Sequence, residues 1–267
     1  MIYARSQSDA EIGTRILSIS DLHIPFQKPI EVFKEYCGRV DVLQLNGDIT
    51  DCHSISKFPK TYRNSPMEEI VETRQYLIEL IEMLRPREVV VNYGNHDIRF
   101  QNYLAKNLDT DLLELMPKTS LELIVVDGFH RYNKATHTKV WYQPLQEVFE
   151  DVKITYVDNW HCQIGGTIFC HPVAFSGGIM GTAEKARRYF KDSGHTFDSL
   201  VMAHTHRLGR YDVGDTIIYE QGAACETARQ HYADGRLSTP PREGFIYVCQ
   251  DKNGRIMAEN TKLIKLN

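Results

Sequence analysis

The 267-residue chain contains no run approaching the roughly 18 apolar residues that mark a membrane span, which excludes an obvious transmembrane helix. Its opening stretch, MIYARSQSDAEIGTR, lacks the apolar core of a secretory signal, and the expectation is a cytoplasmic protein with no membrane partner. The six cysteines (Cys37, Cys52, Cys162, Cys170, Cys225 and Cys249) include no C-x-x-C pair and sit far apart. That spacing argues against a small disulfide framework, and these thiols read as reduced and mostly buried. An excess of positive charge is also missing. The formal net charge of −4 removes any overall electrostatic reason to bind nucleic acid, although local basic stretches can still do so. There is no internal repeat, low-complexity tract or linker, so residues 1–267 read as one domain large enough to bury a sizeable core.

What the chain does have is a series of short β-rich runs with turn residues directly behind them. They are RILSISD (15–21), DVLQLNGD (41–48), EVVVNYGNHD (88–97), TIFCHP (167–172) and SLVMAHTH (199–206). Continuous apolar runs of this length suit strands buried on both faces. Between the second and third, Ile70, Leu77, Leu80, Ile81 and Leu84 recur at helical spacing. Ser65 is placed to cap that helix, Pro66 suits its first position and Pro86 marks its end. Strand, helix, strand in that order implies parallel pairing. The second half is richer in strand, with KITYVD, HCQIGGTIFC, DTIIYEQGAA and a pair, GFIYVCQDKNGRIMAEN, folded back at DKNG. The expected fold is therefore α/β, a two-sheet β-sandwich flanked by helices. The least regular stretch, roughly 101–150, reads as an insertion or cap of helices and loop.

Each of the five runs ends in residues able to hold a metal. The first presents Asp21 and His23, the second Asp48 and Asp51, the third Asn95, His96 and Asp97, the fourth His171, and the fifth His204 and His206. Taken singly these have ordinary explanations: the aspartates can cap helices, Asn95 can serve a turn, and Gly47 and Gly94 can be turn glycines. Their recurrence at five successive strand ends points elsewhere, because ligands of open α/β sheets collect outside the carboxyl ends of the strands.

The order D-x-H, G-D-x-x-D, G-N-H-D, H, x-H-x-H across residues 21–206 resembles the calcineurin-like metallophosphoesterase superfamily, in its compact stand-alone bacterial and phage form. Members commonly carry glycine where this chain has Ala203 and Pro172, which touches loop geometry and leaves the ligand types in place. The resemblance implies two divalent transition metal ions, manganese first, with iron, zinc, cobalt or nickel as alternatives. The first would take Asp21, His23, Asp48 and His206; the second Asp48, Asn95, His171 and His204. It further implies His96 as general acid, held by Asp51. Two such ions neutralise phosphate oxygens and lower the pKa of a bound water to supply a bridging hydroxide. Asp97 either supports the ligands or only its own loop.

The resemblance implies a phosphoester substrate. Protein phosphatases of the superfamily carry arginine directly after G-D-x-x-D, where this chain has Cys52, and the G-N-H-D form resembles nuclease and cyclic-nucleotide branches. The expectation is a phosphodiesterase acting on nucleic acid or a nucleotide. The alternatives are a phosphomonoesterase, or a catalytically silent scaffold, which would be expected to lack a ligand or His96. Weaker features remain. Gly177, Gly178 and Gly181 precede a helix bearing Lys185, Arg187, Arg188 and Lys191, read mainly as a solvated basic face. The stretch GFHRYNKATHTKVWY (128–142) interleaves Arg131, Lys134 and Lys139 with aromatics and has no acidic residue, which suits either a single-stranded nucleic acid or an exposed loop. Arg63, Arg74 and Arg99 are candidates to approach the site.

Overall fold

A computed structural model describes residues 12–57, 64–230 and 240–266. Its strands in chain order are β1 (Ile12–Ile19), β2 (Val42–Asn46), β3 (Glu88–Asn92), β4 (Phe129–Asn133), β5 (Thr138–Tyr142), β6 (Lys153–Val157), β7 (His161–Ile164), β8 (Thr167–Cys170), β9 (Ser199–Met202), β10 (Leu208–Val213), β11 (Thr216–Gln221), β12 (Gly244–Asp251) and β13 (Lys262–Lys265). The helices are α1 (Pro66–Leu84), α2 (Arg99–Asn107), α3 (Thr110–Leu113), α4 (Ser120–Glu122), α5 (Leu145–Val148) and α6 (Gly181–Asp192).

Two sheets face each other. The first has the order β13-β12-β1-β2-β3-β6 and the second β10-β11-β9-β8-β7. Strands β1, β2, β3 and β6 run parallel, as do β8, β9 and β11. Ile16, Val42, Val90, Ile246 and Val248 of the first sheet meet Phe169, Val201 and Tyr219 of the second, forming the middle of the sandwich. The outer face of the first sheet packs Leu43, Leu45, Val89 and Val91 against Leu77, Leu80, Ile81 and Leu84 of α1. Ala183, Ala186 and Phe190 of α6 cover Ile168, Leu200 and Ile218 of the second. Helices therefore lie outside a double sheet because each strand is apolar on both sides. Ser65 caps α1 in a full capping box with Glu68, with Pro66 at the first position, and Arg85 ends the helix in a left-handed turn.

Two expectations are corrected. The segment after DKNG does not return as a strand: Ile256 makes a single bridge to Gln250, and β12 pairs instead with β13. Asp251 explains this, because its carboxylate accepts the backbone N–H of Asn253 and Arg255 and closes a local turn in place of a ladder. The region around 101–150 contains more than helix and loop, since β4 and β5 form an antiparallel two-stranded sheet of their own. Five of the six cysteines are buried and Cys37 is exposed. Among the described residues no helix is long and apolar enough to cross a membrane.

Candidate metal centre

Parallel pairing of β1, β2 and β3 puts their carboxyl ends at one edge, and β8 with β9 does the same in the second sheet. The loops behind these strands bring together the metal-capable residues of all five motifs. Among the described residues, three groups of metal-capable atoms each lie within 4.8 Å of one another: Asp21, His23 and His206; Asp48, His171 and His204; and His23, Asp51 and His96. In the first group His206 Nε2 is 3.1 Å from Asp21 Oδ1 and 3.2 Å from His23 Nε2. Asp48 stands between groups, with Oδ2 at 3.1 Å from His171 Nε2, 3.8 Å from His96 Nε2 and 3.9 Å from His23 Nε2.

The backbone shows how tightly this convergence is imposed. Asp21 (φ 50°), His23 (φ 45°), Asp48 (φ 51°), His204 (φ 78°) and His206 (φ 52°) all adopt left-handed conformations that side chains with a Cβ resist. Each such residue costs of order 1–3 kcal/mol and persists only where its surroundings over-determine it. Gly47 and Gly94 do more than turn the chain. A Cβ on Gly47 would come within 2.8 Å of the His171 ring and 2.6 Å of Gly94 N, and one on Gly94 would collide with the Asp48 carboxylate. The two glycines let the second, third and fourth motif loops touch.

Supporting hydrogen bonds aim the side chains. His171 Nδ1 donates to the Asn46 carbonyl at 2.7 Å, which leaves Nε2 facing Asp48. Ser20 Oγ donates to Asp21 Oδ2 at 2.7 Å. Asp51 Oδ1 lies 2.8 Å from His96 Nδ1 and 3.1 Å from His23 Nδ1, so one carboxylate orients both rings. Asp97 is the hub of the second and third motif loops. Its Oδ2 accepts from Asp48 N and Gly94 N, both at 2.8 Å, and its Oδ1 from Ile49 N (3.2 Å), Thr50 N (3.0 Å) and Thr50 Oγ1 (2.9 Å).

Electrostatics follow from packing carboxylates against imidazoles without water. Burial alone would lower His23, but the carboxylates of Asp21, Asp51 and Asp48 outweigh it and raise the ring to about 10. His171 is raised to about 9 against the same burial penalty by Asp48 and Asp21. Burial works against ionisation of Asp21, Asp48 and Asp51, yet the neighbouring histidines hold all three well below the usual carboxylate range. Burial and the positive charge at His171 push His204 down to about 4. Burial, with help from His23 and Arg99, also lowers His96 despite Asp48 and Asp51. Burial and the charge of Asp48 raise Asp97 to about 6.

The residues present fit divalent cations. Asn95 Oδ1 is buried and accepts no hydrogen bond. Buried polar atoms left in this state are costly unless something else binds them. Carboxylate, imidazole and amide oxygen together suit transition ions better than calcium. Of the arginines, Arg99 reaches the site: Nη2 is 2.8 Å from His96 Nε2 and Nη1 donates to the Asp51 carbonyl at 2.8 Å. Its position three residues beyond His96, at the start of a helix, was the available signal. Arg74 lies elsewhere, bonded to the Gln143 carbonyl and set over the Tyr142 ring. Arg63 falls outside the described residues. The sequence reading did not single out Arg207, which is buried and donates to the carbonyls of Gly178 (2.7 Å) and Gly177 (3.0 Å), tying down the glycine loop before α6. Glu184 neutralises Arg187 and Arg188 on that helix.

A family model for calcineurin-like phosphoesterases matches residues 14–208, a span that contains every metal-capable residue described above. The chain belongs to the calcineurin-like phosphoesterase family. No curated protein gives a significant match. Similar solved structures include an archaeal phosphodiesterase (16% identity, 94% of this chain and 99% of that one, TM-score 0.40). Others are Vps29 from Entamoeba histolytica in complex with Zn²⁺ (14%, 94% and 98%, TM-score 0.43) and a metallophosphoesterase from Sphaerobacter thermophilus (13%, 95% and 88%, TM-score 0.38).

Proposed function

We propose that this phosphoesterase hydrolyses phosphodiesters, in nucleic acid or a nucleotide, with two divalent transition metal ions that would share Asp48 as a ligand. The observation that carries the reading is that Asp48 belongs to the group with His171 and His204 and also lies 3.9 Å from His23 of the Asp21/His23/His206 group, with Asp51 and His96 alongside. Asp21, His23, Asp48 and His206 would hold one ion, and Asp48, Asn95, His171 and His204 the other; manganese is the first candidate. Bound there, the ions would neutralise phosphate oxygens and activate water.

The chain's own residues set the proton path. His96 carries its hydrogen on Nδ1 toward Asp51, and Nε2 accepts from Arg99, an assignment that follows from the hydrogen-bond partners. Nε2 becomes a donor to the leaving oxygen only when Arg99 swings away and the ring takes a second proton from solvent. A substrate phosphate next to the guanidinium supplies the pull, since a bidentate phosphate contact is stronger than one to a neutral imidazole. Asp51 then faces an imidazolium and stabilises it. Cys52, placed where protein phosphatases carry arginine, is buried and raised by that burial out of the thiolate range, so it offers no charge to a phosphate.

Metal analysis and turnover test the reading together. Purified protein reconstituted with manganese should bind two ions per chain and cleave bis-p-nitrophenyl phosphate faster than p-nitrophenyl phosphate. Faster monoester cleavage would make it a phosphomonoesterase. Full occupancy without hydrolysis of either ester would make it a binding scaffold.

A further inference from the structure

We propose that the outer face of the β4–β5 hairpin is a binding surface for single-stranded nucleic acid. Strand pairing sorts the side chains of residues 129–142 onto two faces. Phe129 opposes Tyr142 and Arg131 opposes Val140 on one; His130 opposes Trp141 and Tyr132 opposes Lys139 on the other. The first face is seated on the body of the protein. Phe129 and Tyr142 stack at 4.9 Å with rings 8° from parallel, Arg74 of α1 covers Tyr142, and Arg131 reaches Glu68 of α1 at 3.6 Å. The second face has no such cover: His130, Tyr132, Lys139 and Trp141 are all exposed.

That open face has the chemistry a single strand needs. Trp141 and His130 form one aromatic station with ring centroids 4.6 Å apart, and Tyr132 with His137 forms another, joined by a 3.0 Å hydrogen bond. The two lie two residues apart along β4, roughly 6.8 Å at the rise of an extended strand, a step of the kind that separates unstacked bases. Trp141 is held in place because its ring lies over Gly128, where a Cβ would come within 2.6 Å. Lys134 and Lys139 flank the stations, and no acidic residue occurs from Gly128 to Tyr142. The inner side is the opposite: a cavity of about 360 Å³ beside Arg131 is lined by Glu68, Glu72 and Glu79, which repel a phosphodiester backbone. Charge therefore favours the outer face. That the bound strand is also what the metal centre cleaves rests on the phosphodiesterase reading; the surface itself does not.

Binding of a short fluorescein-labelled oligothymidine, followed by anisotropy in EDTA so that nothing is cleaved, tests the surface. Trp141→Ala should weaken binding about tenfold or more, the loss expected for one stacked base. Replacing Lys134 and Lys139 with alanine together should flatten the dependence of log affinity on log salt by about 1.4, the share of two phosphate contacts. Tyr132→Ala, which leaves the Trp141–Gly128 contact intact, should also weaken binding, and all variants should retain wild-type turnover of bis-p-nitrophenyl phosphate. Oligonucleotide binding that is absent from the wild type, or unchanged in all these variants, overturns the proposal. So does a dimer in sedimentation that Trp141→Ala dissolves without changing affinity for the oligonucleotide, because the face would then be covered by a second copy. Loss of ester hydrolysis in the wild type would count against the phosphodiesterase reading and leave the binding result standing.

Discussion

The guanidinium of Arg99 lies 2.8 Å from Nε2 of His96, the nitrogen from which a leaving group would receive its proton. Burial first, then His23 and this contact, push the His96 ring below its ordinary value against the pull of Asp48 and Asp51. If His96 is the proposed acid, Arg99 would block it in the absence of substrate and would contact phosphate once drawn away. Arg99→Ala should raise KM for a diester because a phosphate contact is lost. It should also shift the alkaline limb of the kcat profile, where His96 loses the proton it donates, to higher pH, because a cation beside His96 is removed. An unchanged limb would show that Arg99 does not control His96.

His96→Ala should leave both metals bound while slowing esters with basic alkoxide leaving groups by roughly 10²–10⁴-fold. Esters of p-nitrophenol should suffer far less, because that group leaves without a proton. Equal losses on both would place His96 at the phosphate or in support of a metal. Asp51→Asn should show the same leaving-group dependence in milder form, with some loss of metal as well, since Asp51 also orients His23.

The strand ends were readable because chemistry and geometry coincide there: an apolar run stops, a glycine allows close approach, and a carboxylate or imidazole follows. The five motifs and their meeting point were visible on that basis, as was α1 from Ser65 and Pro66. The left-handed backbone at Asp21, His23, Asp48, His204 and His206 was not, because none of these is the glycine that usually signals it. The β4–β5 hairpin was hidden for a different reason. Only Phe129 and Tyr142 turn inward strongly enough to mark a buried side, and Asn133 closes the turn by accepting from Ala135 N and Thr136 N. The pairing of β12 with β13 depends on the local turn at Asp251, a side-chain effect that hydrophobic pattern does not report.

Asp48→Asn should deplete both metals and abolish turnover, since Asp48 is the one residue assigned to both ions. His206→Ala and His171→Ala should each lower the metal content preferentially at one site, leaving about one ion per chain. Elemental analysis after dialysis distinguishes these outcomes. Retention of two ions in Asp48→Asn would show that Asp48 does not bridge.

Metal affinity should rise with pH. In the metal-free protein His23 is raised to about 10 and His171 to about 9, so both are protonated at neutral pH, whereas a metal binds the neutral ring. One proton then leaves with each ion bound, which makes the apparent affinity of each site climb by up to about tenfold per pH unit and level off above pH about 9 at the His171 site and about 10 at the His23 site. The sign for folding is opposite. A histidine raised above its unfolded value of 6.5 stabilises the metal-free fold fully below that pH, and the contribution fades as pH passes through about 9 and 10. Metal-free protein should therefore melt lower at high pH, where metal rescues it most. Calorimetry in two buffers of different ionisation enthalpy measures the protons released; none released near neutral pH would refute the protonation assignment.

Asp97→Asn tests whether the second and third motif loops are held by one carboxylate. Both oxygens of Asp97 accept, from Asp48 N and Gly94 N on one side and from Ile49 N, Thr50 N and Thr50 Oγ1 on the other. An asparagine must turn its NH₂ toward one of these sets, where donor meets donor in a buried site. At least two backbone N–H groups then lose their acceptor, at a cost of about 2 kcal/mol or more. In a chain of this size that corresponds to a fall in melting temperature of roughly 4–8 °C. The Asp48 backbone, left-handed at φ 51°, loses its clamp at the same time, so the variant should bind metal more weakly even though no proposed ligand has changed. Asp97→Glu should not rescue it, because the extra methylene pushes the carboxylate into the Gly94 backbone it now bonds. Wild-type stability and metal content in Asp97→Asn would show that the loops hold their shape without the carboxylate, with the metals themselves supplying the constraint.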